Sequence, residues 1–305
     1  MPSTKFSSRP LNYIFLPASA HAIREVGPLV RSTHQNAPSA RMVLLVYPKD
    51  QNRPELLQLR GEFRGLAIWV APKLTRRLQK PLLWLAARLG WQKRSYNRIA
   101  VPFRRLVRGC LHITLERFFS ALDFLEAKMG PGDRLMVSDG RDVILQEDPF
   151  PRIGQDLVTG QEEKEMRACS TNSGWLADLY GKQVAEDLAA RPILCSGVSL
   201  GDREAMRGYL TAMAEEIWRC FPRIGIRGYF DQAVHNRIIY GGRYSVQATL
   251  SEQGHIATLG LMDSSLLSWD EKRGKLAVDG KSPAVVHQYD RHPGMADKVS
   301  SHYST

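Results

Sequence analysis

The chain of 305 residues carries 42 Lys and Arg against 31 Asp and Glu, a formal net charge of +11, and 43% of its residues are hydrophobic. This composition is typical of a globular protein and excludes a disordered or fibrous one. The four cysteines are widely spaced and form no Cys-x-x-Cys pair, which argues against a disulfide scaffold or a thiolate zinc site and favours a reducing compartment. No stretch approaches the roughly 20 apolar residues that span a bilayer.

The first half of the chain alternates between predicted strands and predicted helices. Short apolar runs bounded by turn residues predict buried strands at Tyr13–Leu16, Met42–Tyr47, Leu66–Val70 and Arg134–Val137. Apolar residues at helical spacing predict a helix over 22–32 and a long helix over 111–129, which Gly130-Pro131-Gly132 ends. This order predicts an α/β domain with a mostly parallel sheet.

The N-terminus loosely resembles a signal peptide, because Lys5 and Arg9 precede the first apolar run. Asn12 and Pro17 interrupt that run, which is also short for the hydrophobic region of a signal peptide. A first buried strand that ends at Pro17 is therefore the better interpretation.

The second half is richer in predicted helices. Helices are expected over 173–181, 184–190 and 202–220, and a short strand over 192–195. Residues 246–250 and 256–261 are expected to form a hairpin around Glu252-Gln253-Gly254. The polar stretch from His287 onward is interpreted as a mobile tail or a lid.

The excess positive charge lies in one segment, because no acidic residue occurs between Glu62 and Glu116. The interval contains twelve basic residues: Arg64, Lys73, Arg76, Arg77, Lys80, Arg88, Lys93, Arg94, Arg98, Arg104, Arg105 and Arg108. Trp and Leu residues are interspersed with them, and Pro81 and Pro102 are expected to divide the segment into short helices. We consider a solvated face, a nucleic-acid site and a membrane-surface site. Membrane binding accounts for the Trp and Leu content as well as the charge.

The most informative motif follows the predicted strand at Arg134–Val137. That strand runs directly into Asp139 and Asp142, with Gly140 between them. In α/β sheets the carboxyl ends of the strands face the ligand crevice, where two carboxylates can hold a divalent cation that bridges phosphate oxygens. The alternative is an Asx turn at a strand end, which is common for Asp-Gly.

This motif resembles the aspartate motif of GT-A glycosyltransferases, in which Asp-x-Asp is followed after about five residues by Asp-Pro or an equivalent. Counting back from Asp148-Pro149, the second aspartate of the motif is Asp142. The first would fall on Gly140, so the chain departs from the pattern and offers Asp139 instead. Whether Asp139 ligates the metal or binds the ribose of the nucleotide is left open.

Two further segments resemble the retaining glycogenin-like and lipopolysaccharide galactosyltransferase-like families. Residues 193–201 resemble the segment that lines the sugar and acceptor site, with Cys195 where those families have Asn. Residues 230–236 match their Asp-Gln-x-x-x-Asn segment. Because an amide is a poor nucleophile, the resemblance implies retention by front-face displacement, with Gln232 near the anomeric carbon and Asp231 orienting it or the donor hydroxyls.

The same resemblance implies a metal-binding histidine near the C-terminus. His287 is the first choice and His292 the second, and the site with two aspartates suits Mn²⁺ or Mg²⁺. The residues implied in donor binding are Arg117, Asp139, Arg141, Gly197, Arg291 and Lys298.

Together these motifs predict one GT-A domain over residues 1–305, a Rossmann-like mixed sheet flanked by helices. It comprises a nucleotide-sugar-binding half (11–150), a basic amphipathic insertion (72–110), an acceptor-side half (151–286) and a lid or tail (287–305). The resemblance implies a metal-dependent retaining hexosyltransferase that uses a UDP-sugar and a glycan or lipid-linked saccharide acceptor, with no nucleic-acid partner. We expect it in the cytoplasm, at the inner face of the membrane if the insertion binds lipid.

Three alternatives are considered. A nucleotidyltransferase of similar fold would carry a Gly-rich phosphate loop after the first strand, but residues 16–21 contain no glycine. A non-catalytic membrane or polyanion-binding protein would bind no nucleotide in the presence of a metal. A glycoside hydrolase needs two facing carboxylates, and Asp231-Gln232 supplies one.

Overall fold

The computed structural model describes residues 10–18, 25–241, 245–250 and 254–303. Its main feature is a seven-stranded sheet in the order β3-β2-β1-β4-β7-β6-β8. These strands are β1 (Asn12–Pro17), β2 (Arg41–Val46), β3 (Leu66–Val70), β4 (Arg134–Ser138), β6 (Leu157–Glu165), β7 (Pro192–Asp202) and β8 (Val246–Leu250), with β5 (Val143–Leu145) in a second sheet. Four of the six pairings are parallel, whereas β7 runs antiparallel to both β4 and β6. The predicted mixed sheet is therefore confirmed.

A three-stranded sheet in the order β5-β12-β9 brings the C-terminal part of the chain to the end of β4. It combines β5 with β9 (Ile256–Thr258) and β12 (Val285–His287), and a separate pair is formed by β10 (Leu267–Asp270) and β11 (Lys275–Val278). The register places His287 opposite Val143. The predicted hairpin is wrong, because β8 pairs with β6 in the main sheet while β9 pairs with β12. Its proposed turn falls partly on residues 251–253, outside the described residues.

Helices cover both faces of the main sheet. They are α1 (Gly27–Asn36), α2 (Pro54–Glu62), α3 (Arg76–Arg88), α4 (Val101–Arg108), α5 (Ile113–Lys128), α6 (Ser170–Tyr180), α7 (Lys182–Asp187), α8 (Arg203–Ile224), α9 (Asp231–Tyr240) and α10 (Met295–His302). Alternate residues of β1 enter different cores: Phe15 packs with apolar residues of α5 and α8, and Leu16 with those of α1. This alternation is expected for a strand that is buried on both faces.

The predicted basic insertion contains α3 and α4. Pro102 lies in the first turn of α4, where its missing N–H is tolerated. The expectation that Pro81 divides the segment is wrong, because Pro81 lies inside α3 and the helix continues to Arg88. Burial of Leu83 and Ala86 after the proline offsets the lost backbone hydrogen bond.

The described part of the predicted lid or tail begins with the last residue of β12 and contains α10. Met295, Val299 and Tyr303 of this segment are buried in a third apolar cluster with Tyr289. In addition, Arg31 of α1 donates to the backbone carbonyl of Tyr303 over 2.9 Å. Its action as a lid stays a prediction. Among the described residues, no helix is long and apolar enough to cross a bilayer.

Candidate active site

Three possible metal ligands meet beyond the carboxyl end of β4. Asp139 follows β4 directly, Asp142 directly precedes β5, and the β5–β12 register places His287 beside them. One ligand atom from each residue lies within 4.8 Å of the other two. The structure therefore brings together the three residues predicted as metal ligands, which we call the carboxylate cluster.

His287 is buried, and its two ring nitrogens face different groups. Its Nε2 lies 3.4 Å from Asp139 Oδ2 and 3.6 Å from Asp142 Oδ1. These separations exceed a well-formed hydrogen bond, and Nε2 has no hydrogen-bond partner among the described residues. Nδ1 lies 3.4 Å from Cys195 Sγ. A contact at one ring nitrogen helps to orient the other toward a ligand.

The second candidate histidine is occupied elsewhere. His292 Nδ1 lies 2.9 Å from Ser264 Oγ, and its Nε2 lies 2.8 Å from the carbonyl oxygen of Leu259. The structure therefore brings His287, and not His292, to the two aspartates.

In the carboxylate cluster, the charges of His287 and Asp142 affect each other's pKa values. Burial disfavours the charged imidazolium of His287, but Cys195 and Asp142 outweigh that effect and raise the pKa of His287 to about 10. Burial likewise opposes ionisation of Asp142, yet His287, and then Arg141 and Arg291, lower the pKa of this carboxyl below its ordinary value. A proton on His287 thus compensates the carboxylates, and a divalent cation can supply the same compensation.

Two glycines make room for this arrangement. A Cβ at Gly197 would lie 2.1 Å from His287 Cε1 and 2.9 Å from Asp139 Oδ2. A Cβ at Gly140 would lie 2.4 Å from the carbonyl oxygen of Pro17. Position 140 therefore cannot carry the first aspartate of the familiar motif, which gives a steric reason for the displaced Asp139.

Arg117 connects the cluster to the predicted catalytic segment. It is completely buried on α5, and its guanidinium forms an ion pair with Asp139 at one end. At the other end Nη2 donates to Asp231 Oδ2 and to the carbonyl oxygen of Ser196, both over 3.0 Å. The arginine thereby fixes the first residue of α9 against the end of β4.

Gln232 is held by two residues that the sequence analysis missed. Its Nε2 donates to Glu162 Oε1 over 2.9 Å and to Asn172 Oδ1 over 2.7 Å. With both amide hydrogens donated, only the carbonyl oxygen remains to contact another group. Burial raises the pKa of Glu162, although the Gln232 hydrogen bond opposes this shift. No sequence signal pointed to Glu162 on β6 or Asn172 on α6, because neither lies in a motif.

Asn236, the last residue of the Asp-Gln-x-x-x-Asn segment, binds the backbone. Its Oδ1 accepts from the N–H of Leu194 over 2.9 Å, and its Nδ2 donates to the carbonyl oxygens of Leu194 and Gln232 over 2.7 and 2.9 Å. This residue joins α9 to β7 and so determines where Gln232 lies relative to Cys195.

Of the other predicted donor-binding residues, Arg141 and Arg291 lie near the cluster and Lys298 does not contact it. Arg141 is 3.4 Å from Asp290, and Arg291 is 3.6 Å from the same carboxyl group. Arg141 also lines a cavity of about 490 Å³ together with Arg31, Tyr289 and Asp290. Lys298 on α10 pairs instead with Glu271 over 3.5 Å, and no contact among the described residues joins it to the cluster.

No protein-family model and no curated protein matches this sequence. Among solved structures, the chain is similar to the galactosyltransferase LgtC, seen in a complex with donor and acceptor sugar analogues and in an active-site mutant with glutamine changed to glutamate. The TM-scores are 0.51 and 0.52, at 13% sequence identity, over 96% of this chain and 95% of LgtC in each case. The chain therefore has the GT-A fold of LgtC.

Proposed function

We propose that the protein is a metal-dependent retaining glycosyltransferase that moves a hexose from a nucleotide sugar, with UDP as the first candidate, to a glycan or lipid-linked acceptor. The observation that carries this proposal is the carboxylate cluster at the carboxyl end of β4, within a fold shared with a sugar transferase. Ligands of open α/β sheets bind at this edge.

The residues present fit a divalent cation. Asp139, Asp142 and His287 would hold it, and the buried Nε2 of His287, which lacks a hydrogen-bond partner among the described residues, is the orphaned polar atom that such a cation would satisfy. Two carboxylates and one imidazole suit Mn²⁺ and tolerate Mg²⁺. When bound, the cation would offset the charge that develops on the diphosphate leaving group. Because Asp139 Oδ2 faces His287, we assign Asp139 to the metal and not to the ribose.

The protein's own side chains would hold the reacting groups in place. Arg117 keeps Asp231 next to the cluster, and Glu162 and Asn172 hold the amide nitrogen of Gln232. The carbonyl oxygen of Gln232 is then left to face a donor sugar. Because an amide oxygen is a poor nucleophile, this arrangement favours departure of the diphosphate and attack of the acceptor from the same face, which retains the anomeric configuration. LgtC also has a glutamine in its active site.

Arg141 and Arg291 are proposed to bind the donor diphosphate. Both act on the Asp142 carboxyl electrostatically, and Arg141 lines the neighbouring cavity. Gly197 is proposed to leave space for the donor beside Asp139 and His287. Of the predicted donor-binding residues, Lys298 has the least support, since its ammonium group pairs with Glu271.

The test is a screen of nucleotide sugars for Mn²⁺-dependent hydrolysis, followed by NMR of the anomeric product. We expect Asp142→Ala to lower turnover on the order of 10²-fold or more while the fold survives, because it removes charge stabilisation in the transition state. Asp178→Ala is the matched control, since Asp178 is exposed on α6. Unchanged turnover in Asp142→Ala would contradict the metal site, and an inverted product would contradict the role of Gln232.

A further inference from the structure

Most charges of the basic insertion are exposed and have no anionic partner among the described residues. Lys73 is exposed and donates to the Tyr47 hydroxyl. Eight other basic residues of the insertion are exposed and form no ion pair with any described residue: Arg76, Arg77, Lys80, Arg88, Lys93, Arg94, Arg98 and Arg105. The acidic groups that contact the insertion are already engaged. Glu116 and Asp123 bind the buried Arg108, and Glu215 accepts from the Ser95 hydroxyl and the Tyr96 N–H.

Exposed apolar side chains share this surface. Of the twelve large hydrophobic residues that are exposed among the described residues, seven belong to the insertion: Leu78, Trp84, Leu85, Leu89, Val101, Phe103 and Leu106. Trp84 is the most exposed, at 62%. Leu78 and Leu85 of α3, and Leu89 directly after it, recur at helical spacing along one side. We call these exposed cationic and apolar residues of α3, α4 and the turns between them the basic face.

The opposite side of the insertion is attached to the domain. Leu83 and Ala86 of α3 are buried, and the indole N–H of Trp218 on α8 donates to the carbonyl oxygen of Trp91 over 3.0 Å. Arg108 donates to Glu116 and to the Tyr96 hydroxyl. The apolar residues of the basic face thus stay outside while the inner residues of the same helices pack.

A groove of about 540 Å³ between α3 and the end of α8 continues the basic face. Leu83, Trp84, Ile224 and Ile226 provide its apolar lining, and its cations are Lys80, Arg223 and Arg227. The Arg227 guanidinium lies 4.7 Å from the ring centre of Phe230, the residue before Asp231. The groove therefore connects the basic face to the start of α9, where the proposed catalytic residues lie.

We propose that the basic face binds an anionic phospholipid membrane. Lys and Arg attract the phosphates of anionic lipids, and Trp and Leu on the same side can enter the boundary between headgroups and acyl chains. A second copy of the chain would bring two like-charged faces together, which disfavours self-association. The phosphate backbone of a nucleic-acid duplex would engage the cations but offers no apolar surface for the leucines.

Co-sedimentation with vesicles of phosphatidylcholine, alone or mixed with phosphatidylglycerol, tests this inference. We expect binding only to the mixed vesicles, with a loss of about tenfold or more at high salt because the charges are screened. Trp84 should be quenched by brominated phosphatidylglycerol, and Trp84→Phe should remove most of that quenching.

The variant Leu85→Asp with Arg88→Glu should lower binding to the mixed vesicles by about tenfold. The matched control is Leu266→Asp with Arg273→Glu, because Leu266 is as exposed as Leu85 (44% against 45%) and lies outside the basic face. Thermal unfolding verifies that both double variants fold. Donor hydrolysis should be unchanged in both, which separates this inference from the proposed function.

Four outcomes would overturn the inference. These are no binding to the mixed vesicles, equal binding to both vesicle types, equal loss in the control, and binding that Leu85→Asp with Arg88→Glu leaves intact. Light scattering that shows a dimer dissociated by Leu85→Asp would assign the surface to a second copy. Retention on DNA without vesicle binding would assign it to nucleic acid.

Discussion

The carboxylate cluster and the basic face arrange charge in opposite ways. At the cluster, the buried Arg117 bridges two carboxylates and the buried His287 faces two more oxygen atoms. On the basic face, eight cations are exposed and form no ion pair with the described residues. A buried charge is tolerated only with a compensating partner, whereas an exposed charge is compensated by water. A single substitution should therefore disrupt the carboxylate cluster, whereas the properties of the basic face should depend on the combined charge and apolar surface of its residues.

Removal of Arg117 should have the largest effect on stability. We expect Arg117→Met to lower the free energy of unfolding by about 3 kcal/mol, because it leaves Asp139 and Asp231 without their buried partner. Urea denaturation measures this difference. Arg94→Met, which changes an exposed arginine of the insertion, is the matched control and should cost less than about 0.5 kcal/mol. Similar losses in both variants would contradict the contrast between the two regions.

Gly197→Ala tests whether the cluster tolerates a single added carbon atom. The new Cβ would overlap His287 and crowd Asp139, so we expect Mn²⁺ affinity to fall on the order of 10²-fold, or about 2.7 kcal/mol. Calorimetric titration with Mn²⁺ measures this loss without any substrate. At Gly154 a Cβ would meet no atom within 4 Å, so Gly154→Ala should bind Mn²⁺ like the parent. Normal affinity in Gly197→Ala would show that the cluster does not hold the metal.

Because of the buried His235, the free energy of unfolding should fall at acid pH. It is completely buried, its Nδ1 lies 2.8 Å from the Tyr209 hydroxyl, and burial, followed by the charge of Arg117, lowers its pKa to about 3. The unfolded chain takes up this proton near pH 6.5. The stability that His235 contributes is therefore present above pH 6.5 and is lost as the pH falls toward 3, with a loss of about 2 kcal/mol at pH 5.

Urea denaturation of the parent and of His235→Gln at pH 7.5 and pH 5 checks the sign of this effect. The glutamine cannot titrate, so the difference between the two pH values should shrink in the variant. His255, with a pKa lowered to about 4 by burial and then by Arg152, should account for part of the sensitivity that remains. If His235→Gln showed the same pH dependence of stability as the parent, His235 would not be the source of the acid sensitivity.

The smallest effect is expected on the basic face. Arg105→Gln removes an exposed cation that pairs with no described residue, so the free energy of unfolding should change by less than about 0.5 kcal/mol. Urea denaturation and donor hydrolysis should both match the parent. A loss above about 1 kcal/mol would mean that single residues of this face support the fold.

Several features were predictable from the sequence because they depend on neighbouring residues. The apolar runs predicted β1 to β4, and the position of Asp139 and Asp142 after a buried strand predicted carboxylates at the edge of the sheet. The fold class predicted from the motifs agrees with the likeness to LgtC. The wrong hairpin shows the limit of such patterns, since strands close in the chain can join different sheets.

The composition and local patterns of the sequence determined the strand order along the chain, the edge of the sheet that carries aspartates, and the segment that holds the excess charge. The tertiary structure decided which distant residues meet. It paired β12 with β5 and so chose His287 over His292, it placed Glu162 and Asn172 on the amide of Gln232, and it buried Arg108 while Arg105 of the same helix stayed exposed. The reason is physical: local patterns report on contacts within a helix or strand, whereas burial and compensation of charge depend on residues far apart in the chain.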